Sequence, residues 1–261
     1  MAEKFSNAGA CDPHAGSWTS TLALRFVDFA GVRDGDRVLD VGSGTGPLAL
    51  ALAASTPCSE IVGIDLSAPH IEFARSRTSD PRVRFEVGDA MELPYTNGSF
   101  DKTLAQLVLN QIPDAARGVA EMRRVTKPGG TVAACVWESG KDNQRNHIFW
   151  DAVMAINTAA AEQRETRGRY GSRKRLFTLW SECGLKKIKG ADLVFSVDYA
   201  SFDDFWLPHL EGQGRAGAYV KSLTPDRQGA LRDRLRRNIL GEKGDGRFSL
   251  RAQAVAVQGI C

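Results

Sequence analysis

Along this chain the apolar and polar positions fall into blocks with two different periods. Residues 38–41 form a short apolar run, and residues 47–54 form an apolar stretch long enough for a helix. Residues 60–66, 83–90 and 100–106 read as three more strands. Lys127, Pro128, Gly129 and Gly130 then form a turn into a fifth strand at residues 131–137. Further on, residues 146–161 have helical spacing, with Ile148, Phe149, Val153 and Ile156 on one face. Residues 173–183 read as a helix stopped by Gly184. Residues 193–199 and 248–257 alternate apolar with polar, as half-buried strands do. An N-terminal helix is expected at residues 22–29. Strand and helix in alternation predict an α/β fold with a mainly parallel sheet.

The chemistry begins where the first strand ends. Asp40 is followed by Gly42, Ser43, Gly44 and Gly46, three glycines spaced two apart at the entry to a helix. Glycine lets the backbone turn through positive φ and approach a ligand closely. Strand, glycine turn and helix N-terminus form the nucleotide-binding corner of doubly wound α/β folds. A dinucleotide fingerprint places its third glycine three positions after the second, which this chain does not do. The Asp40 carboxylate at the strand end would repel a pyrophosphate and welcome a cationic amino-acid group. A positively charged nucleoside without phosphate suits both features, and S-adenosylmethionine is such a ligand. The second strand ends in Asp65, about twenty residues beyond the glycines, where such folds place a carboxylate for both ribose hydroxyls. Asp65 could instead cap the next helix, although Ser67 is the better cap. Asp89 closes the third strand and could receive an adenine amino group or cap a turn. Asp101 begins the fourth strand, remote from the ligand edge, and reads as structural, as do Gly129 and Gly130.

As a set, the glycine motif, Asp65, the Gly88-Asp89-Ala90 triplet and the segment Glu121 to Val125 before Lys127-Pro128-Gly129-Gly130 resemble the class I S-adenosylmethionine-dependent methyltransferases. The resemblance is strong over residues 33–137. It implies a doubly wound, seven-stranded Rossmann-like sheet with strand seven antiparallel, and a helical cap. The implied divisions are an arm and helix at 1–32, a cofactor-binding core at 33–137, a cap segment at 138–172, a core helix and strand six at 173–200, a cap insertion at 201–247 and strand seven at 248–261. Cofactor contacts are implied for Asp40, Gly42, Ser43, Gly44, Gly46, Asp65, Leu66, Asp89, Ala90, Met91 and Gln106. A narrower likeness links Asp12 to Thr19, Leu107 to Asp114, Ala133 to Trp137 and Phe202 to Trp206 with bacterial small-molecule methyltransferases related to those of ubiquinone and menaquinone biosynthesis. This chain departs from that group at Cys11, where a tyrosine is usual, and at Ser17, where an arginine is usual. Cofactor contacts commonly made from those positions are therefore in question.

Strand six should run parallel to strand one, so the roughly fifty residues between strands six and seven emerge on the ligand edge. With the helix after strand five they are expected to cap the methyl group. Trp18, Asn110, Trp137 and Trp206 are the expected acceptor-binding residues, with Phe149, Trp150 and Phe205 as further apolar wall. Methyl transfer is chiefly a positioning problem, since the sulfonium methyl is already activated. A general base is needed only for an acceptor protonated at neutral pH. The candidates for it are His147 and His209 in the cap, and Asn110 can orient an acceptor but cannot take its proton.

Composition narrows the partners. The chain has 261 residues and a formal charge of +3, too small to imply nucleic acid or an anionic membrane. The motifs that mark nucleic-acid methyltransferases are missing, because Asn110-Gln111-Ile112-Pro113 is not Asn-Pro-Pro-aromatic and no Pro-Cys nucleophile is present. A small-molecule acceptor is the expected partner. Five cysteines without paired spacing favour reduced thiols over disulfides or a zinc site, and no metal is expected. No signal peptide or membrane span is apparent, so a soluble cytoplasmic protein, monomer or homodimer, is expected. The altered arm keeps one alternative open: an S-adenosylmethionine-binding scaffold without turnover.

Overall fold

The computed structural model describes residues 15–58, 60–139, 143–157, 169–212 and 214–261. In chain order the elements are α1 (Ala15–Ala30), β1 (Arg37–Val41), α2 (Pro47–Ser55), β2 (Glu60–Asp65), α3 (Ala68–Ser76), β3 (Val83–Val87), β4 (Phe100–Gln106), α4 (Ala115–Val125), β5 (Thr126–Trp137), α5 (Gln144–Ile156), α6 (Arg173–Glu182), β6 (Lys186–Tyr199), α7 (Phe202–Leu210), α8 (Gly214–Lys221), α9 (Pro225–Leu240) and β7 (Phe248–Ile260). One sheet takes all seven strands in the order β3-β2-β1-β4-β5-β7-β6. Strands β1 to β5 are mutually parallel, and β7 is antiparallel to both β5 and β6. Val41, Asp65, Val87, Gln106, Trp137 and Tyr199 therefore close their strands on one edge. Ligands of open α/β sheets bind on that edge.

Both faces of the sheet are covered. Buried residues of α1, α2, α3, α5, α7, α8 and α9 join one side chain layer with the inward face of β6 and β7. Those of α4 and α6 form the other, where the buried Trp180 indole N–H donates to the Val132 carbonyl at 3.1 Å. Helix α1 extends earlier than its polar start suggests. Trp18, Leu22, Phe26 and Ala30, spaced by four, are all buried along one stripe.

Strand bounds differ from the sequence expectation in three places, each with a local cause. Strand β5 already pairs at Thr126, opposite Phe100, and re-registers at Thr131 opposite Lys102, so Lys127 to Gly130 bulge out of a continuous strand. Strand β6 begins at Lys186, seven residues early, because its first half is charged. It is an edge strand, where exposed lysines are tolerated and discourage further pairing. Strand β7 runs on to Ile260 opposite that extension. In α5 the buried face is Phe149, Ala152 and Val153, whereas Ile156 is exposed.

Strands β6 and β7 also overrun the sheet at the ligand edge. Trp137, the last residue of β5, pairs with Ala254, and β7 begins six residues earlier at Phe248, opposite Tyr199. At about 3.3 Å per residue this two-stranded ribbon projects about 20 Å beyond β5. Helices α7, α8 and α9 connect its two strands and so leave from that edge.

Candidate active site

Past Val41 the backbone turns through Gly42, Gly44 and Gly46 at φ of 71°, 53° and 86°, where a side chain is strained. What surrounds each glycine differs. A Cβ on Gly42 would lie 2.3 Å from the Val108 side chain, and one on Gly46 would lie 2.8 Å from the Phe85 ring. A Cβ on Gly44 would meet nothing within 4 Å. Gly42 and Gly46 thus permit close packing within the protein, while Gly44 presents bare backbone to open space. Asp65 fixes that backbone. Its Oδ2 accepts the Gly44 N–H and its Oδ1 accepts the Ser67 N–H, both at 2.9 Å. Ser67 caps α3 by accepting the His70 N–H, so the capping role weighed for Asp65 falls to Ser67. Beside this acid Leu66 is 73% exposed, an apolar surface on the ligand edge. At the end of β3 the Asp89 carboxylate accepts the Met91 N–H at 2.8 Å and folds Ala90 and Met91 into a tight turn.

Asp40 is fully buried, and neither of its carboxylate oxygens has a hydrogen-bond partner. The same is true of Ser43 Oγ and Gln106 Oε1. Register places them together, since Asp40 pairs with Leu104, two residues before Gln106. Gln106 is held by its other amide atom, Nε2, which donates to the Thr19 carbonyl of α1 at 2.9 Å. Burial pushes the Asp40 carboxyl up to about 8; the Ala49 N–H, which approaches it without hydrogen-bond geometry, opposes the shift and the Asp65 charge adds to it. Buried polar atoms without partners are costly and uncommon in folded proteins. Four of them, on three residues at one strand edge, ask for a donor-rich cation. An ammonium, with three N–H groups and no acceptor, fits that demand, and a phosphate does not.

The turn after β4 carries a feature that no sequence pattern signals. Leu107 is a non-glycine residue at φ 62°, and its N–H donates to the Cys135 carbonyl at 2.8 Å. Such conformations are uncommon and strained, and they cluster at functional sites. Here the reversal drives Val108 onto Gly42. Asn110 follows on the surface, its Oδ1 accepting the Tyr170 N–H at 3.0 Å.

On the other side of Gln106 the walls are aromatic. Trp18 stands edge-on to Trp137 with ring centroids 6.5 Å apart, and lies 6.1 Å from Phe195 and 6.0 Å from Tyr199. The Arg145 guanidinium sits 5.2 Å over the Trp18 ring, and its Nε is buried without a partner. Burial raises the Tyr199 hydroxyl to about 12, although Arg145 and the Trp18 indole N–H both pull it down. Tyr199 is therefore a proton donor at any physiological pH.

Trp206, an expected acceptor residue, and His209, a candidate base, are both packed into the core. Trp206 is only 3% exposed and His209 is fully buried. His209 stacks on Phe149 at 5.0 Å and on Trp206 at 6.1 Å, and its Nδ1 faces the Phe205 carbonyl at 2.8 Å. Burial, aided by Arg145, pushes its imidazole down to about 3. Trp206 and His209 thus glue α7 to α5, and a histidine that stays neutral in the core is not a base for an external acceptor. His147 lies at the surface of α5, 3.1 Å from Asp151. Asp101 is structural, accepting the Arg37 N–H and the Lys127 ammonium. Cys11 and residues 12–14 of the arm lie outside the described residues. Among the described residues no group of three or more His, Cys, Asp or Glu side chains could hold a metal ion, and Cys58, Cys135, Cys183 and Cys261 are free thiols. Among these same residues no helix is long and apolar enough to cross a membrane.

Comparison with known proteins agrees with this geometry. Residues 38–130 match the family model for a methyltransferase domain. A demethylmenaquinone methyltransferase of Staphylococcus aureus is 41% identical over 110 residues, which are 41% of this chain and 46% of that protein. The alignment thus spans less than half of either protein. Among solved structures, YcgJ of Bacillus subtilis superposes with a TM-score of 0.58 at 20% identity, covering 92% of this chain and 97% of that one. A Haemonchus contortus phosphoethanolamine N-methyltransferase, solved with phosphomonomethylethanolamine and S-adenosylhomocysteine, gives 0.58 at 19% identity over 93% of this chain and 52% of that one. At such identities the structures speak for the fold alone.

Proposed function

The core of this chain is a class I S-adenosylmethionine-dependent methyltransferase domain, and from that premise we propose that the protein methylates a small-molecule acceptor held between the glycine turn and the ribbon of β6 and β7. The observation that carries the proposal is the set of orphaned buried atoms on Asp40, Ser43 and Gln106 beside the open backbone of Gly44. Asp40 and Gln106 would take the ammonium of the methionine moiety. Asp65, already locked to Gly44 and Ser67, would accept from the ribose hydroxyls with its remaining lone pairs. Leu66, Asp89, Ala90 and Met91 would border the adenine. The cofactor supplies an electrophilic methyl group; everything else is positioning by this chain, which can contribute on the order of 7–11 kcal/mol.

The sheet edge supports a place for the acceptor. The Trp18, Trp137, Phe195 and Tyr199 walls stand over the carboxyl ends of β5 and β6, next to Gln106. They exclude water and offer flat apolar surfaces, which suit an acceptor with a planar ring. The demethylmenaquinone relative bears a name of that kind, and a quinone-like ring is the acceptor class proposed here. Calorimetry with S-adenosylmethionine, S-adenosylhomocysteine and NADH tests the cofactor: the first two are expected to bind and the third not. Binding of NADH in place of the sulfonium nucleoside would overturn the reading. A methyl-release assay over a panel of ring acceptors then tests turnover and separates an enzyme from a scaffold.

A further inference from the structure

Helix α1 is strapped to β4 at both of its ends. Lys102, Leu104 and Gln106 share one face of that strand, and all three are buried, Leu104 in the layer that α1 joins. At the end remote from the ligand edge, the Lys102 ammonium donates to the Ala30 carbonyl at 3.2 Å and to the Thr131 hydroxyl at 3.4 Å, with Asp36 at 3.9 Å. That strap is complete within the protein. At the ligand edge, Gln106 Nε2 donates to the Thr19 carbonyl at 2.9 Å, while Oε1 of the same amide is buried and without a partner. This second strap is half finished, and its unfinished half lies on the strand edge shared with the orphaned oxygens of Asp40 and Ser43. The residue before Thr19 is Trp18, whose ring packs against Trp137, Phe195 and Tyr199 and whose indole N–H is already spent on the Tyr199 hydroxyl. The first turns of α1 thus stand between the cofactor corner and the aromatic wall, bonded to both.

We propose that Gln106 is a positioning residue that couples cofactor binding to the seating of α1 and, through it, of Trp18 in the aromatic wall. The inference rests on the cofactor reading above and adds a second role for the same amide. An amide accepts at its oxygen and donates at its nitrogen, so one glutamine serves ligand and helix at once. A cation placed at Oε1 polarises the amide and strengthens the Nε2–H bond to the Thr19 carbonyl, as linked hydrogen bonds do in a low-dielectric interior. The linkage is reciprocal: a bound ammonium steadies the first turns of α1, and a seated α1 keeps Oε1 aimed at the ammonium. Lys102 is satisfied inside the protein, so the other end of α1 is expected to be indifferent to the ligand.

Amide hydrogen exchange on the full chain tests this with two probes. S-Adenosylhomocysteine carries the ammonium; 5′-methylthioadenosine keeps adenine, ribose and sulfur and lacks the amino-acid chain. Both are compared at saturation, with calorimetry fixing the occupancy and residues 25–30 of α1 as internal standard. In wild type, S-adenosylhomocysteine is expected to slow exchange over residues 18–24 by about fivefold or more beyond methylthioadenosine, with residues 25–30 alike in both. Gln106→Met, which keeps the length of the side chain and loses both polar atoms, should erase that difference even when saturated. A purely structural role for Gln106 would give wild type no difference between the two ligands. The coupling is overturned if both protect residues 18–24 alike in wild type, a comparison that needs no variant to fold, or if the excess protection survives in Gln106→Met. Should methylthioadenosine bind too weakly to saturate, the unliganded chain replaces it and Gln106→Met decides. Failure of S-adenosylhomocysteine to bind wild type at all would bring down the cofactor reading, and the coupling with it.

Discussion

The two halves of the ligand edge are built on different principles. From β3 to β4 the strands have five to seven residues and end in glycine turns, acids and one glutamine. Their polar groups are set by backbone: Asp65 is tied to two main-chain amides, and Asp89 to one. From β5 to β6 the strands have twelve to fourteen residues and overrun one another, and the site is made of large side chains from four separate elements. The first half combines positive-φ turns with orphaned buried atoms, a mould that the proposed cofactor would fill. The second is a packed aromatic wall, whose side chains would decide which acceptor fits on the proposed function. On the proposed function, one half fixes the chemistry and the other selects the substrate.

If the glycine turn is the mould, its glycines should separate into two kinds. Gly44→Val should remove S-adenosylhomocysteine binding altogether, because its side chain would occupy open ligand space rather than meet protein. The strain at φ 53° adds roughly 1–2 kcal/mol of instability, small enough for the variant to remain folded. Gly42→Val should fail differently, by unfolding, since even its Cβ would collide with Val108. Calorimetry and melting curves together tell the two apart. Unchanged ligand affinity in folded Gly44→Val would break the comparison at its root.

The packed half makes the opposite demand. Trp206→Ala should cost about 3–5 kcal/mol of stability, the usual range for losing a buried tryptophan. Affinity for S-adenosylhomocysteine, per folded molecule, should stay as in wild type. A variant with native melting temperature and impaired acceptor turnover would instead return Trp206 to the acceptor site.

How much of this could be read from the chain follows the same division. The glycine turn was legible because its positive φ favours glycine, and the seven-stranded sheet with an antiparallel last strand was implied by the family resemblance. Leu107 was not legible, because nothing local marks a leucine for positive φ. Arg145 was also missed. Its significance comes from meeting Trp18 and Tyr199, from segments more than fifty residues away on either side, and no spacing rule connects them. Trp206 and His209 were expected to face the acceptor because topology sends their helix to the ligand edge, but which face of α7 turns inward is decided by tertiary packing. The early start of β6 was hidden by its lysines, which an edge strand accepts and a central strand does not.

Within the mould, Asp65→Ala should weaken S-adenosylmethionine by roughly 1.5–3 kcal/mol, the range for hydrogen bonds to a charged group. Part of that loss comes from releasing the Gly44 backbone, so Asp65→Asn, which keeps an acceptor oxygen, should recover some affinity. A folded Asp65→Ala titrating like wild type would remove the ribose assignment.

The proton count at Asp40 is the most diagnostic. Asp40 has a native-state value of about 8 against 3.8 for an ordinary aspartate, so between those values the folded, unliganded protein holds a proton that the unfolded chain has lost. Stability of the unliganded protein from this group is therefore full below about pH 4 and declines as pH rises towards 8. A ligand ammonium set against the carboxylate reverses the preference, because the charged form then has a partner. Binding of S-adenosylmethionine should accordingly release a proton below pH 8, and affinity should rise by up to about tenfold per pH unit towards that value before levelling off. Calorimetry in buffers of differing ionisation enthalpy counts the released proton directly. Asp40→Asn, which cannot ionise, should release none and bind with an affinity independent of pH over the same window. Proton release that persists in Asp40→Asn would assign the linkage to another group and leave the orphaned carboxylate without its proposed partner.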